Sequence, residues 1–217
     1  AVVPISAGRH IYKREPSFPI AVACDPAFNF VYEANIRYLH HLGEVTYFSP
    51  LADTSLPDVG FVYLPGGYPE LYLAALSANR QMLQSIRRYV ESGGKLLAEC
   101  GGMMYLCDEI RDKNGDVYPM AGVLHQSATM ENMKLRLGYR TLLYNETRLK
   151  GHEFHYSRLV EQQNPLPSCA VAYTAKGVET DTPLYHYKNV WAGYTHLYWA
   201  DPVGNEWFTK FVIDGNT

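Results

Sequence analysis

Cysteine is scarce in this chain, with four among 217 residues, at positions 24, 100, 107 and 169. Their spacing fits neither a disulfide framework nor a zinc site, which implies free thiols in a reducing cytoplasm. No apolar run approaches the ~18 residues that span a bilayer. No signal peptide is visible at Ala1-Val2-Val3-Pro4, which opens without Met as a fragment or processed chain would. Charge excess is small: 19 Lys+Arg against 22 Asp+Glu give −3, which argues against nucleic acid or an anionic membrane as partner. A Gly-x-x-x-x-Gly-Lys-Ser/Thr cradle is absent, so no nucleotide site is read, and there are no repeats or low-complexity stretches. What is present, 47% hydrophobic and 19% charged residues, is enough for one globular domain with a core.

Residues 1–17 mix Arg9, His10, Lys13, Arg14 and Glu15 with two prolines and no periodicity, as a linker arriving from upstream would. Ile20 to Cys24 is a short apolar strand closed by Asp25-Pro26, and the pattern predicts a helix from Asn29 to Leu42 with Gly43 as its C′ residue. Strands follow at Val45 to Phe48 and Phe61 to Leu64, then a helix over 79–92 stopped by Gly93-Gly94. Lys95 to Glu99 is the next strand. Cys100-Gly101-Gly102 turns it into a run, Met103 to Ile110, with helical pattern. From about 117 to 175 shorter strands (Arg136 to Leu143, Glu153 to Leu159, Ala170 to Tyr173) predict an antiparallel extension of the same sheet. Val190 to Tyr194 is a strand before Thr195-His196, and a helix is expected from about Asn205 to Ile213. This alternation predicts an α/β fold in three layers, with a mostly parallel central sheet covered by helices on both faces. Sites in such sheets lie beyond the carboxyl ends of the strands, which would align Asp25, Gly66-Gly67 and Cys100 along one edge.

A strand that turns sharply into a helix at a small nucleophile beside glycine is a nucleophile elbow. The turn pushes the sulfur out of the sheet, glycines clear its approach, and the helix N-terminus should favour thiolate. Cys107 and Cys24 are read as packing or core residues. A cysteine nucleophile needs a base, and among eight histidines His196 is best placed, at the end of a strand that can lie beside the elbow strand. Strand alternation puts His155 on the same face as Glu153 and opposite Phe154. His152 and His155 then point to opposite sides, so a metal site is not expected. His10, His40, His41, His125 and His186 read as surface or packing residues. The backbone amides of the Gly66-Gly67 loop could meet a developing oxyanion. The residues alone suggest cysteine-mediated acyl transfer or hydrolysis of a small substrate.

Five segments together carry a resemblance. They are Ala98-Glu99-Cys100-Gly101-Gly102-Met103-Met104-Tyr105-Leu106, Asp25 to Tyr32, Leu64 to Leu71, Gly151-His152-Glu153-Phe154-His155-Tyr156-Ser157, and Tyr194-Thr195-His196-Leu197-Tyr198-Trp199. They resemble the class I, flavodoxin-like glutamine amidotransferases. Within that class they resemble the corrin-amidating branch, as in the C-terminal glutaminase domains of cobyrinic acid a,c-diamide synthases. The resemblance implies glutamine hydrolysis through a thioester, with ammonia passed to an N-terminal ATP-binding domain of the same polypeptide that uses ATP and Mg²⁺. Cobyrinic acid, a corrin, would lie at the interface between the two domains. It also implies Cys100 as nucleophile, His196 as general base, and the backbone of Gly67 and Gly101 as the oxyanion hole. Gly66, Tyr68, Glu70 and His155 would contact the substrate. No metal or cofactor is expected in this chain itself. Residues 1–18 would be the linker from the missing domain and 19–217 the amidotransferase domain, cytoplasmic, with a second copy of the chain as a further candidate partner.

The pattern departs from its relatives at one place. Class I triads carry Glu two residues after the His, and here that position holds Tyr198. Rival readings are a related amidotransferase (cobyric acid synthase or a cell-wall lipid amidating subunit) and a non-catalytic docking module on the same fold.

Overall fold

The computed structural model describes residues 18–214, so residues 1–17 of the expected linker lie outside the described residues, and Phe18 already belongs to the first strand. Phe18–Ala23 (β1) leads to Glu33–Leu42 (α1), Gly43–Phe48 (β2) and Phe61–Leu64 (β3). A 3₁₀ turn at Pro69–Leu71 precedes Leu73–Ala78 (α2) and Arg80–Glu91 (α3), and Lys95–Glu99 (β4) then enters Gly101–Leu106 (α4). Next come Glu109–Arg111 (β5), Val117–Pro119 (β6), Ser127–Thr129 (β7), Arg136–Tyr144 (β8), Thr147–His155 (β9) and Arg158–Leu159 (β10). Val171–Thr174 (β11), Glu179–Thr180 (β12), Leu184–Tyr187 (β13), Val190–Gly193 (β14), His196–Leu197 (β15) and Pro202–Thr209 (α5) follow, and a π-helical turn at Lys210–Asp214 ends the order.

The central sheet runs β13-β14-β4-β3-β1-β2, parallel except where β13 meets β14. Both faces of β3, β4, β14 and most of β1 are buried, which is why they read as continuous apolar runs, whereas β2 at the edge exposes Tyr47. Alternate residues divide the core in two. Ala21, Val62, Leu64, Leu96 and Ala98 pack with Met82, Ile86 and Val90 of α3, while Ile20, Val22, Phe61, Tyr63 and Leu97 pack with Leu39 of α1 and Phe208 of α5. The α3 N-terminus is capped by the Asn79 side chain, which accepts from the Met82 amide.

Five expectations are corrected. The first helix begins at Glu33, because the Phe30 amide donates to the Gly66 carbonyl and holds 28–30 extended across the loop after β3. Gly43 is extended (φ −171°) and starts β2 directly; a Cβ there would sit 1.9 Å from the Phe18 carbonyl oxygen. The helix after Cys100 stops at Leu106, since Glu109–Arg111 is drawn into a small sheet of order β10-β7-β5-β6. The antiparallel strands of 136–174 form a separate sheet, β12-β11-β8-β9-β15, so only β13 extends the central sheet antiparallel. Cys24 is exposed, contrary to the expected core placement, whereas Cys107 is buried.

Trp191 of β14 is the largest fully buried side chain, stacked on His186 at 4.4 Å and edge-on to Trp207 at 5.3 Å. Trp191→Ala is expected to cost about 3–5 kcal/mol by cavity formation, read as a lowered urea midpoint. A loss below about 1 kcal/mol would contradict this packing account.

Candidate active site

Parallel β1, β3 and β4 bring Asp25, the Gly66-Gly67 loop and Cys100 to one edge of the sheet. The Asp25 carboxylate is occupied structurally, accepting from the amides of Ala27 and Leu51 and from the Ser49 hydroxyl. Cys100 adopts φ 49°, ψ −105°, a left-handed turn that costs a side-chain-bearing residue on the order of 1–3 kcal/mol. The surroundings impose it. The Cys100 amide donates to the Gly193 carbonyl at the end of β14, while its own carbonyl already accepts from Met104 in α4. Gly102 follows because a Cβ there would lie 2.1 Å from the Leu64 carbonyl oxygen.

A shallow cleft of about 20 Å³ is lined by Gly67, Tyr68, Glu70, Cys100, Phe154 and His155, among others. The Gly67 amide donates to no other group among the described residues, and a Cβ on Gly101 would lie 3.2 Å from the Gly67 nitrogen. The two backbone N–H groups thus stand side by side next to the sulfur, an arrangement able to hold an oxyanion. The Cys100 thiol donates to the Phe154 carbonyl at 3.8 Å.

His196 lies outside this cleft, beyond the Gly66 loop, and is buried. Its ring packs 4.3 Å from Phe30, and a Cβ on Gly66 would fall 2.1 Å from its Cε1. Strand β9 brackets both groups, because His196 pairs with His152 while the sulfur meets Phe154, two residues along, or about 7 Å of strand. His196 Nδ1 has no hydrogen-bond partner among the described residues. Tyr198, at the place of the usual triad Glu, is partly exposed and packs edge-on against Tyr32 at 5.6 Å. Packing by Gly66 and Phe30 therefore holds the imidazole where a carboxylate would otherwise do so.

Electrostatically both partners rest uncharged. Burial, then the Glu70 carboxylate, pushes the Cys100 thiol up to about 12, against the pull of the Gly101 N–H. The expected thiolate bias of the short helix is outweighed. Burial likewise lowers His196 to about 3, aided by His152 and His155. Glu70, on the turn facing the sulfur, is raised by burial. His152 and His155 point to opposite sides as alternation requires, with His152 edge-on to Tyr139 and His155 hydrogen-bonded to Glu153. No group of three or more His, Cys, Asp or Glu side chains placed to hold a metal ion occurs among the described residues.

Glu99 was not singled out from the sequence, although a carboxylate closing an apolar strand directly before the nucleophile is a usable signal. It is buried, accepting from the Tyr63 hydroxyl at 2.7 Å and from the Leu197 amide at 3.0 Å, so it ties β4 to the residue after His196. Burial raises it to about 7 despite these bonds.

An elbow cysteine on a parallel sheet, flanked by paired glycine amides, defines the class I glutamine amidotransferase architecture. Solved structures share it: PurLQS from Thermotoga maritima (TM-score 0.56, 18% identity, 83% of this chain and 87% of that one) and a glutamine amidotransferase from the same organism (TM-score 0.54, 12% identity, 91% and 83%). Residues 19–203 match the CobB/CobQ-like glutamine amidotransferase domain, and the chain belongs to that family. It is 40% identical to the hydrogenobyrinate a,c-diamide synthase of Pseudomonas aeruginosa over 82% of its length, covering 41% of that protein. The same figures hold for the cobyrinate a,c-diamide synthase of Fusobacterium nucleatum. The chain therefore spans about two fifths of the length of these curated relatives. No helix among the described residues is long and apolar enough to cross a membrane.

Glu99 and His196 oppose each other in pH dependence. Between about 4.5 and 7 the folded state holds a Glu99 proton that the unfolded chain releases, so this group costs stability as pH rises. Below 6.5 the unfolded chain protonates His196 and the folded state does not, so that group costs stability as pH falls. In Glu99→Gln the first effect is gone. Relative to the unmodified chain, the variant should lose about 1.4 kcal/mol per pH unit between about pH 6.5 and 5, measured by urea unfolding. Parallel curves would refute the Glu99 assignment.

Proposed function

We propose that this chain is the glutamine-hydrolysing part of a cobyrinate a,c-diamide synthase. The observation that carries the reading is the strained Cys100 beside the free Gly67 and Gly101 amides, in a chain of this family. In the reaction, glutamine enters the cleft and His196 takes the Sγ proton. The thiolate forms a bond to the side-chain amide carbon, and the oxyanion is met by the N–H groups of Gly67 and Gly101. Collapse of this adduct breaks the C–N bond while His196 returns the proton to the departing ammonia. Water, deprotonated by the same imidazole, then cleaves the thioester to glutamate and restores the thiol. Because burial holds His196 unprotonated down to about 3, its basic form is available throughout the neutral range. A thiol tolerates the loss of the triad carboxylate better than a hydroxyl would. Gly66, Tyr68, Glu70 and His155 are the substrate-side residues of this reading, with Glu70 facing the glutamine ammonium.

Ammonia would pass to an ATP-binding domain joined through residues 1–18. With ATP and Mg²⁺, that domain amidates the a- and c-carboxylates of cobyrinic acid. The relatives named as a,c-diamide synthases support this acceptor.

The glutamine-like diazoketone 6-diazo-5-oxo-norleucine should label Cys100 alone, located by peptide mass spectrometry. Label on Cys24 or Cys107 with Cys100 spared would overturn the nucleophile. His196→Asn should slow ammonia release roughly 100-fold or more. Folded wild-type protein that releases no ammonia, even when joined to its ATP domain, would instead favour the docking module that the missing triad Glu raises.

A further inference from the structure

The nucleophile and its base stand on different sheets, Cys100 at the end of β4 in the central sheet and His196 on β15 in the five-stranded one. Strand β15 is two residues long and lies at the edge of its sheet, paired with β9. An edge strand so short leaves backbone groups to be satisfied from elsewhere. On the β9 side the Tyr198 amide donates to the Lys150 carbonyl. Gly151 lets the two strands close, because a Cβ there would lie 2.4 Å from the His196 carbonyl oxygen. The Leu197 N–H and C=O point the other way, where the sheet ends.

Two buried side chains meet them there. The Glu99 carboxylate accepts from the Leu197 amide at 3.0 Å, and the Asn35 side chain of α1 donates to the Leu197 carbonyl at 2.8 Å. The Asn35 amide oxygen also accepts from the Trp199 amide at 3.2 Å. Only a side chain with both a donor and an acceptor makes this pair of bonds, and the reversed amide would oppose donor to donor and acceptor to acceptor. Asn35 is 0% and Glu99 2% exposed, so neither is shared with bulk water. The second Glu99 oxygen is held by the Tyr63 hydroxyl at 2.7 Å. One carboxylate thus joins the residue before the nucleophile to the residue after the base. Packing by Gly66 and Phe30 sets the turn of the imidazole ring, while these bonds set the place of the strand that carries it. The charge of Glu99 disfavours the Cys100 thiolate, so what it contributes is placement.

We infer that Glu99 and Asn35 are positioning residues for His196: by gripping the backbone just after it, they fix its distance from Cys100, a task that Tyr198 at the usual triad position leaves open. Neither residue touches the glutamine; both act through the imidazole. The inference rests on the glutaminase reading above and deepens it.

A role exerted through His196 disappears when His196 is absent. In the full chain, Asn35→Ala should lower kcat for ammonia release roughly ten- to a hundredfold, with the glutamine KM within about twofold. In a His196→Asn background the same substitution should change the residual rate by less than about twofold, whereas a general loosening of the cleft would lower it as much as before. Tyr63→Phe keeps the ring and frees one Glu99 oxygen. It should act in the same direction with a smaller loss, again only while His196 is present, and it carries the test if Asn35→Ala does not fold. Hydrogen exchange of the unsubstituted chain needs no variant: the Leu197 and Trp199 amides should be protected as strongly as those of β4. Equal losses with and without His196, unchanged kcat in the folded variants, or Leu197 and Trp199 amides that exchange like those of exposed loops would overturn the inference. If the diazoketone fails to label unsubstituted Cys100, the glutaminase reading itself falls. If it labels Cys100 and the losses are equal in both backgrounds, only the present inference does.

Discussion

The site depends on one backbone constraint, the left-handed conformation of Cys100 where β4 breaks into α4. Its amide must reach the Gly193 carbonyl while its carbonyl is already the first acceptor of the helix. Both bonds can be made only if the chain reverses within one residue, and the reversal turns Sγ out of the sheet. Neighbouring positions follow from that turn. Gly101 and Gly102 lie so close to the loop after β3 and to the end of β3 that side chains there would collide with Pro69 and with the Leu64 carbonyl. The strain is offset by a core that packs both faces of β4.

The electrostatics follow from the same burial. Removing the sulfur and the imidazole from water leaves a neutral thiol and a neutral base, separated far in proton affinity. In the proposed reaction such a pair would exchange its proton only as substrate fills the cleft. Burial, reinforced by the Glu70 carboxylate, keeps the resting thiol protonated, and a thiol is less readily oxidised than a thiolate.

Much of this was legible in the sequence, for identifiable reasons. Phe61–Leu64 is an apolar run bounded by turn residues, and its limits were read as they stand. The elbow was visible because a nucleophile between a strand and two glycines has few other uses. That Glu153 and His155 share a face followed from strand alternation alone. What escaped depended on contacts distant in sequence. The first helix was read too long because the Phe30–Gly66 bridge joins segments 36 residues apart. Residues 107–110 kept a helical pattern that pairing with β6 and β7 overrode. The role of Glu99 depends on a strand almost a hundred residues later. Cys24 was misplaced because an apolar strand need not bury the residue just past its end.

The account's central claim is that the sulfur exposed by this turn makes the first covalent bond to glutamine. Rapid acid quenching of the chain during turnover, followed by peptide mass spectrometry, tests it directly. A glutamyl thioester on the peptide bearing Cys100, formed within the first turnover and absent without glutamine, is the predicted result. Steady ammonia release with that peptide unmodified at every quench time would contradict it.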